Sequence, residues 1–470
     1  MRQITVRGSI MRSILPCHPR PRAWLLLLAL LPASLPAQAL PAFARQTGQN
    51  CVACHVSFPE LTPYGRFFKL NGYTIGTRQA IPLAAMAQLG YSAIANPKDD
   101  TGATVQARDR ALLFSAASVF AAGKFNDNLG VFSQYTFTNS NVAADGTTTY
   151  GHPGIDNTDL RAVARWPTAD GNDTAVLAGL TLHNNPTVQD VWNTAPAWGY
   201  PFTASPNQVM PAAGAQIDGA LAQQVAGLGA YAFVDRSWYG ELSFYRTADG
   251  IFSLLRDGQD TRSPGGVARL DGWNPYLRLA WNHEQGPHSW MVGGHVSQFD
   301  RFPDNTLPTS GTDRYTDYAL DAQYQYIATE QTLSVQAIRI REKQDYRVSH
   351  ASPVGAGPTP ANPVDHLSTT RLRVAWQYQR SVGVGAQVFD IRGDADTGLY
   401  APGSVGGSAN GSPDSRGYLF ELTWNPIQNL HLIAQYTGFS RFNGGDDNYD
   451  GAGRKASDNN TLFLNAWLAY

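Results

Sequence analysis

Charge is scarce in this chain of 470 residues: Asp, Glu, Lys and Arg together make up 15%, against roughly 25% in soluble globular proteins. The formal net charge is only −2, so there is no basic footprint of the kind that binds nucleic acid. Cysteine is scarcer still, with three residues, Cys17, Cys51 and Cys54. Two of them, three positions apart, cannot staple a fold and must serve local chemistry. Long apolar runs are missing beyond the first 31 residues, and none reaches the roughly 20 residues a spanning helix needs. That excludes a helical inner-membrane protein. What the chain has in quantity is glycine, 45 residues, and aromatic residues, 11% of the total. This balance suits a chain that hides many of its polar positions inside itself.

The first 39 residues read as a signal peptide. Arg2, Arg7, Arg12, Arg20 and Arg22 precede an apolar core from Trp24 to Leu31, and Ala37-Gln38-Ala39 offers a small-residue cleavage site. Met11 is a possible alternative start. The apolar core is too short for an uncleaved anchor. With Cys17 in this leader, Cys51 and Cys54 are left as the mature thiols.

They stand in the run Cys51-Val52-Ala53-Cys54-His55. This is the pattern of covalent haem c attachment: each thiol can add to one vinyl group, and the adjacent His55 is placed to ligate the iron. A thioredoxin-like redox pair would open a helix in a βαβ unit, and no such pattern follows. A zinc site needs two more ligands, and none clusters nearby. Around the motif, residues 40–80 supply Phe43, Phe58, Tyr64, Phe67 and Phe68 for apolar contact, with Arg45, Arg66 and Lys69 as candidate partners for propionates. A segment of this size rarely stabilises its own core, so it is expected to pack on the rest of the chain.

From residue 81 onward the chain becomes a train of segments with alternating apolar and polar positions, the period-2 signal of half-buried strands. In Tyr276–His283, Leu277, Leu279 and Trp281 share one face, Arg278 and Asn282 the other. Strands are predicted near 81–93, 110–122, 128–138, 158–166, 174–183, 220–234, 237–247, 274–284, 287–298, 315–326, 331–341, 367–379, 382–392, 415–425, 429–440 and 460–470. Connections between them alternate between long, as at 94–109, 139–157 and 184–219, and short, as at 123–127 and 167–173. An even strand count with short turns at one end and long loops at the other is the signature of an outer-membrane barrel. The expected fold is therefore all-β, an antiparallel transmembrane β-barrel of about 16 strands over residues 81–470. Short turns on the periplasmic side bring the haem segment, 40–80, into the barrel from there, to lodge in the lumen. The last strand alternates through Leu462, Leu464, Ala466 and Leu468 to Tyr470, like the closing strand that outer-membrane assembly recognises. If Gln285-Gly286 is a two-residue turn, His283 faces His288 and Trp281 faces Trp290 on the lipid side. Met291 and His295 then point into the lumen, as do Met86, His183 and His431 by parity.

The segments Phe43-Ala44-Arg45-Gln46-Thr47-Gly48, Cys51–His55, Phe58-Pro59-Glu60-Leu61 and Tyr64–Tyr73 together resemble the fused monohaem cytochrome-porin family of bacterial outer membranes. The match covers roughly residues 41–75; over the barrel it is one of plan and length. The resemblance implies an oxidoreductase that takes electrons from an extracellular donor, Fe(II) in the best-known members. They would pass through one covalent haem c to a periplasmic c-type cytochrome or copper protein. A second expectation stands beside it, a diffusion porin whose haem segment is a plug or redox sensor, because sixteen strands leave room for a water-filled channel. Cys51, Cys54 and His55 are the expected haem attachments. Met86 is the nearest methionine beyond the haem segment and a candidate distal metal ligand, since thioether ligation raises haem potential; a gap-filling role suits a methionine as well. Met291 and His431 are lesser candidates. Carboxylates at Asp394 and Asp396, or Asp446, Asp447 and Asp450, suit a donor cation, although acidic loops are more often solvated surface.

Overall fold

The structure, a computed structural model, describes residues 42–106, 108–142, 149–170, 173–257, 268–350 and 353–470. The expected leader, 1–39, lies outside them. Five short elements come first: α1 (Ala42–Thr47), α2 (Cys51–Cys54), β1 (His55–Ser57), β2 (Glu60–Leu61) and α3 (Pro63–Leu70). Sixteen long strands follow: β3 Leu83–Ile94, β4 Leu112–Lys124, β5 Leu129–Val142, β6 Thr149–Pro167, β7 Thr174–His183, β8 Val225–Val234, β9 Trp238–Thr247, β10 Asn274–Gln285, β11 His288–Arg301, β12 Asp313–Ile327, β13 Gln331–Asp345, β14 Val364–Tyr378, β15 Val382–Gly393, β16 Ser415–Ile427, β17 Leu430–Arg441 and β18 Thr461–Ala469. Each pairs antiparallel with its neighbours, and β18 pairs with β3 to close the barrel. Among the described residues no helix is long and apolar enough to cross a membrane.

Closure is what allows strands to stand in a bilayer, because it leaves no edge whose amides and carbonyls lack partners. The side chains follow the pleat. On β10, Tyr276, Arg278 and Asn282 are buried inside, whereas Leu277, Leu279 and Trp281 are exposed outside. The same inversion, polar within and apolar without, recurs on β16, where Glu421 and Thr423 are buried and Phe420, Leu422 and Trp424 exposed. A water-soluble sandwich would do the opposite. At the short-turn end the outer face carries a ring of stacked aromatics: Trp281 on His283 at 5.7 Å, His283 on Trp290 at 5.6 Å, and His288 on Tyr324 at 6.1 Å. Such girdles belong at the membrane interface.

Three expectations need correction. The tight turn between β10 and β11 is Gly286-Pro287, with Gln285 opposite His288, His283 opposite Trp290 and Trp281 opposite Val292. Gly286 takes φ +58°, a left-handed conformation that glycine adopts without strain. Because the slip moves the pairing by an even number, every side chain keeps its face. Most of the loop expected at 139–157 is strand, since β5 and β6 run on to Val142 and from Thr149. The third correction is the largest. The connection 184–224, expected at 184–219 as an outer loop ahead of a strand from 220, folds back into the lumen, and β8 starts only at Val225. Val188, Val191, Trp192 and Ala195 are almost wholly buried.

Candidate haem pocket at the short-turn end

The segment before β3 is seated at the short-turn end of the lumen, the end from which it was expected to enter. Several turns grip it. The Arg380 guanidinium donates to the Val52 carbonyl, Gln428 Nε2 donates to Cys51 Sγ at 3.3 Å, and the Arg236 guanidinium lies 4.7 Å from the centre of the Phe67 ring. The segment also grips itself. Thr62 caps α3 by accepting from Gly65 N at 3.2 Å, while its own N–H and hydroxyl donate to Cys54 O at 2.9 Å and Ala53 O at 2.6 Å. Pro63 follows at the first helical position, where its missing N–H costs nothing. One residue therefore fixes α3 and the Cys51–Cys54 turn together. Gly65 makes that approach possible, since a Cβ there would sit 2.2 Å from Cys54 O.

Buried charges lock the segment to the wall. Arg66 donates to Gln325 at 2.7 Å and Gln323 at 3.1 Å, reaches Ser289, and ion-pairs with Glu284 at 3.6 Å. Glu60 pairs with Arg373 at 2.7 Å and accepts from Gln325 and Ser334. Phe67 and Leu70 pack with Trp192, Tyr231, Tyr239 and Met291.

On its other side the segment faces a cavity of about 500 Å³, within the roughly 300–1,000 Å³ range of ligand sites. It extends from Ala122 and Ala469, near the short-turn rim, up to Gln88 and Gln134. Cys54 and His55 form one border, with Phe43, Phe58, Phe68 and Tyr73 beside them. Met86, Phe120, Phe132 and Trp467 border it from the wall. Loop 184–224 supplies the rest, including Asn193, Trp198 and Phe202. His55 Nδ1 lies 3.3 Å from Pro59 O, a contact that, with Nδ1 as donor, leaves Nε2 free to take a metal. Burial pushes the imidazole down to about 4, so it is neutral, the form that ligates.

Of the expected site residues, Cys54, His55 and Met86 border this one cavity, whereas Cys51 is buried just behind Cys54 and does not. Among the three cations expected to face propionates, only Lys69 borders it, with Nζ on Val188 O at 2.6 Å and Asp190 O at 2.9 Å. Burial pushes Lys69 down to about 7. Arg66 is spent on the wall, and Arg45 donates to the Leu83 carbonyl away from the cavity. Met291, His183, His295 and His431 are buried on the inner face as parity requires, but none borders the cavity. His431 reaches it only through Trp467, 6.3 Å away. The acidic loops organise backbone: Asp396 accepts from the amides of Ala361, Asn362, Gly398 and Leu399, and Asp450 from those of Val405, Ala452 and Arg454. Among the described residues no three of His, Cys, Asp and Glu converge as a metal site.

The contribution of loop 184–224 escaped the sequence reading, yet a signal was present. From Asn184 to Ile217 Asp190 is the single charged residue, among Val188, Val191, Trp192, Trp198, Tyr200 and Phe202. A loop in water would be more polar. Asp190 is the anchor: it pairs with Arg278 at 3.3 Å and accepts from the amides of Trp192, Thr194 and Ala195.

No known family profile and no curated protein matches the chain. Solved structures similar in fold include OmpF of Salmonella typhi in complex with daunomycin, at 12% identity over 83% of this chain and 97% of that one with a TM-score of 0.44. The outer-membrane channel DcaP of Acinetobacter baumannii is similar at 11% identity over 83% and 96%, TM-score 0.44. OmpT of Vibrio cholerae is similar at 12% identity over 83% and 96%, TM-score 0.41.

Proposed function

We propose that this chain is an outer-membrane barrel that holds one covalent haem c in its lumen and moves electrons from an extracellular donor, ferrous iron first among candidates, to a periplasmic c-type cytochrome or copper protein. The observation that carries the reading is that Cys54, His55 and Met86 border one apolar cavity of about 500 Å³. Residues far apart in sequence meet there with the donor set a low-spin haem takes. Cys51 and Cys54 would carry the thioether links, His55 would be the proximal ligand, and Met86 the distal one. The group so held supplies one-electron chemistry.

The chain's own residues do the rest. Pro59 O orients His55; Phe43, Phe58, Phe68 and Trp467 keep water from the site; Lys69 sets a buried amine, held by Val188 O and Asp190 O, at its edge. Around the pocket, Arg161, Arg278 and Arg373 face inward yet are at most 4% exposed in their side chains, each paired with a carboxylate, Asp159, Asp321 or Glu60. In an open aqueous lumen these ions would be wet. A filled lumen passes an electron while leaving outside a donor whose oxidised form precipitates near neutral pH.

The test is to mix purified, haem-loaded protein with ferrous iron and follow haem reduction optically. Fast reduction is expected, and colour should be lost in Cys51→Ala/Cys54→Ala. Slow or absent reduction at every pH removes iron as donor and leaves the cytochrome reading intact. The second reading, a diffusion porin with a plug or redox sensor, rests on the sixteen-stranded wall, which has room for a channel. Steady ion conductance through the intact protein in a planar bilayer would favour it.

A further inference from the structure

On most of the barrel's outer face, cations near the loop end stand beside an acid. Arg314 pairs with Asp300 at 2.6 Å, Arg246 with Asp249 at 3.0 Å, and Arg392 and Arg416 share Asp390 at 2.6 and 2.8 Å. Strand β13 breaks this pattern. Its outward positions nearest the short turn are Leu333, Val335 and Ala337, and the next three are Arg339, Arg341 and Lys343, all exposed. Their inward neighbours Ile338, Ile340 and Glu342 are buried, which fixes the direction of the cations. Neither Arg339 nor Arg341 has an ion-pair or hydrogen-bond partner among the described residues, and Lys343 has only Asp345 at 3.9 Å.

Their depth makes this costly. Arg339 stands opposite Leu320, and Arg341 opposite Tyr318, two of the most outward-exposed apolar side chains of β12. On the other flank β14 changes from Leu372, Val374, Trp376 and Tyr378 to Thr370, Ser368 and His366 at the same three levels. The Ser368 hydroxyl, opposite Arg341, is buried beneath the neighbouring side chains and has no partner. A bare arginine on the lipid face of a barrel is destabilising, less so as it nears the interface, and its long stem lets the head rise to that interface. Two unpaired guanidiniums and an ammonium, exposed in a row on one strand, match phosphate, which arginine binds through paired N–H donors.

We propose that Arg339, Arg341 and Lys343 form a binding site for the phosphate groups of a phosphorylated glycolipid in the outer leaflet. The site rests on the outer-membrane reading, with the long loops outward. Its occupant is a lipid because the cations continue an apolar stripe in which acyl chains of the same molecule would lie against Leu320, Leu333 and Val335.

The experiment is native mass spectrometry of the full-length, haem-loaded protein in detergent, titrated with bisphosphorylated lipid A, with its fully dephosphorylated form, and with inorganic pyrophosphate. One bisphosphorylated lipid is expected to bind, at least about tenfold more weakly to Arg339→Gln/Arg341→Gln, and unchanged in Arg392→Gln, whose arginine has an acid beside it. These positions are exposed, so folding is not at stake; an unchanged haem spectrum verifies it. Equal binding of the dephosphorylated lipid, equal binding of pyrophosphate, or an equal loss in Arg392→Gln overturns the proposal. So does an acidic protein copurifying through the patch in place of lipid. Membrane fractionation of the wild type reads the parent proposal separately: a chain found outside the outer membrane removes that reading, whereas an outer-membrane chain whose double variant binds as well as wild type removes only the lipid site.

Discussion

At the scale of single residues, the Cys51–Cys54 turn depends on a neighbour that carries no chemistry. Gly65 lies in α3 where a methyl group would strike the Cys54 carbonyl at 2.2 Å. That contact is backbone and cannot swing aside, so Gly65→Ala must push α3 and the Cys51–Cys54 turn apart. The expected cost is roughly 1–3 kcal/mol, the usual range for overpacking. Because the barrel does not rest on this contact, the loss should appear in the plug: reduced haem incorporation per barrel by absorbance, with unchanged β content by circular dichroism. Full incorporation would show that the turn adapts. Met86 makes a sharper test. Met86→Leu retains apolar volume and removes the sulfur, so a distal thioether predicts a changed haem spectrum and a lowered midpoint potential, whereas a gap-filling methionine predicts neither. That Cys54 and His55 would share a cavity with Met86 was half legible: their run of consecutive positions kept the first two together, and parity alone put Met86 on the inner face of its strand. Arg66 and Lys69 were not separable in sequence. They differ by less than one helical turn, and only the docking of α3 sends one to the wall and the other to the cavity.

At the scale of elements, the strands were legible and the longest loop was not, for one physical reason. A strand between lipid and a polar lumen must alternate, so its period is imposed from both sides; β10 shows this residue by residue. A loop has no such period, and its placement depends on partners in distant strands. Loop 184–224 is held by Trp192 Nε1 donating to Asn282 at 3.2 Å, by Gln336 Nε2 donating to Trp192 O and Asn193 O, and above all by Asp190 on Arg278. Leu61 N donates to Asn193 Oδ1 at 3.0 Å, so the loop and the plug brace each other. Asp190→Ala leaves Arg278 with Asp321 as its remaining carboxylate and frees three backbone amides. A destabilisation on the order of 3 kcal/mol is expected from breaking a buried pair. The loop should open before the barrel does, giving protease cleavage within 184–224 at temperatures where β structure is intact. Resistance equal to wild type would mean the other bonds suffice. The tight turn at Gly286-Pro287 shows the limit of reading hairpins: Gly286 was recognised as a turn residue, but each partner moved by two residues because Gln285 stays in the ladder.

At the scale of the whole molecule, the question is whether the wall encloses a pore or a filled vessel. The strand count was legible from the alternation of short and long connections, and it is neutral between the two. What decides is the content of the lumen, and that content has two parts of different origin. One is the segment before β3, fixed by Arg66, Glu60 and Lys69; the other is loop 184–224. If the plug is the seal at the short-turn end, the intact protein should pass little ionic current in a planar bilayer, and a chain lacking residues 42–80 should pass steady current in discrete steps. If the loop alone seals the lumen, the truncated chain should remain closed until Asp190 is also replaced. The single and combined variants thus separate the seals, and the order in which current appears tells which one closes the path between the loop end and the short-turn end. Large current through the untouched chain would instead turn the molecule into a diffusion porin, with the pocket at Cys54, His55 and Met86 beside its water path rather than across it.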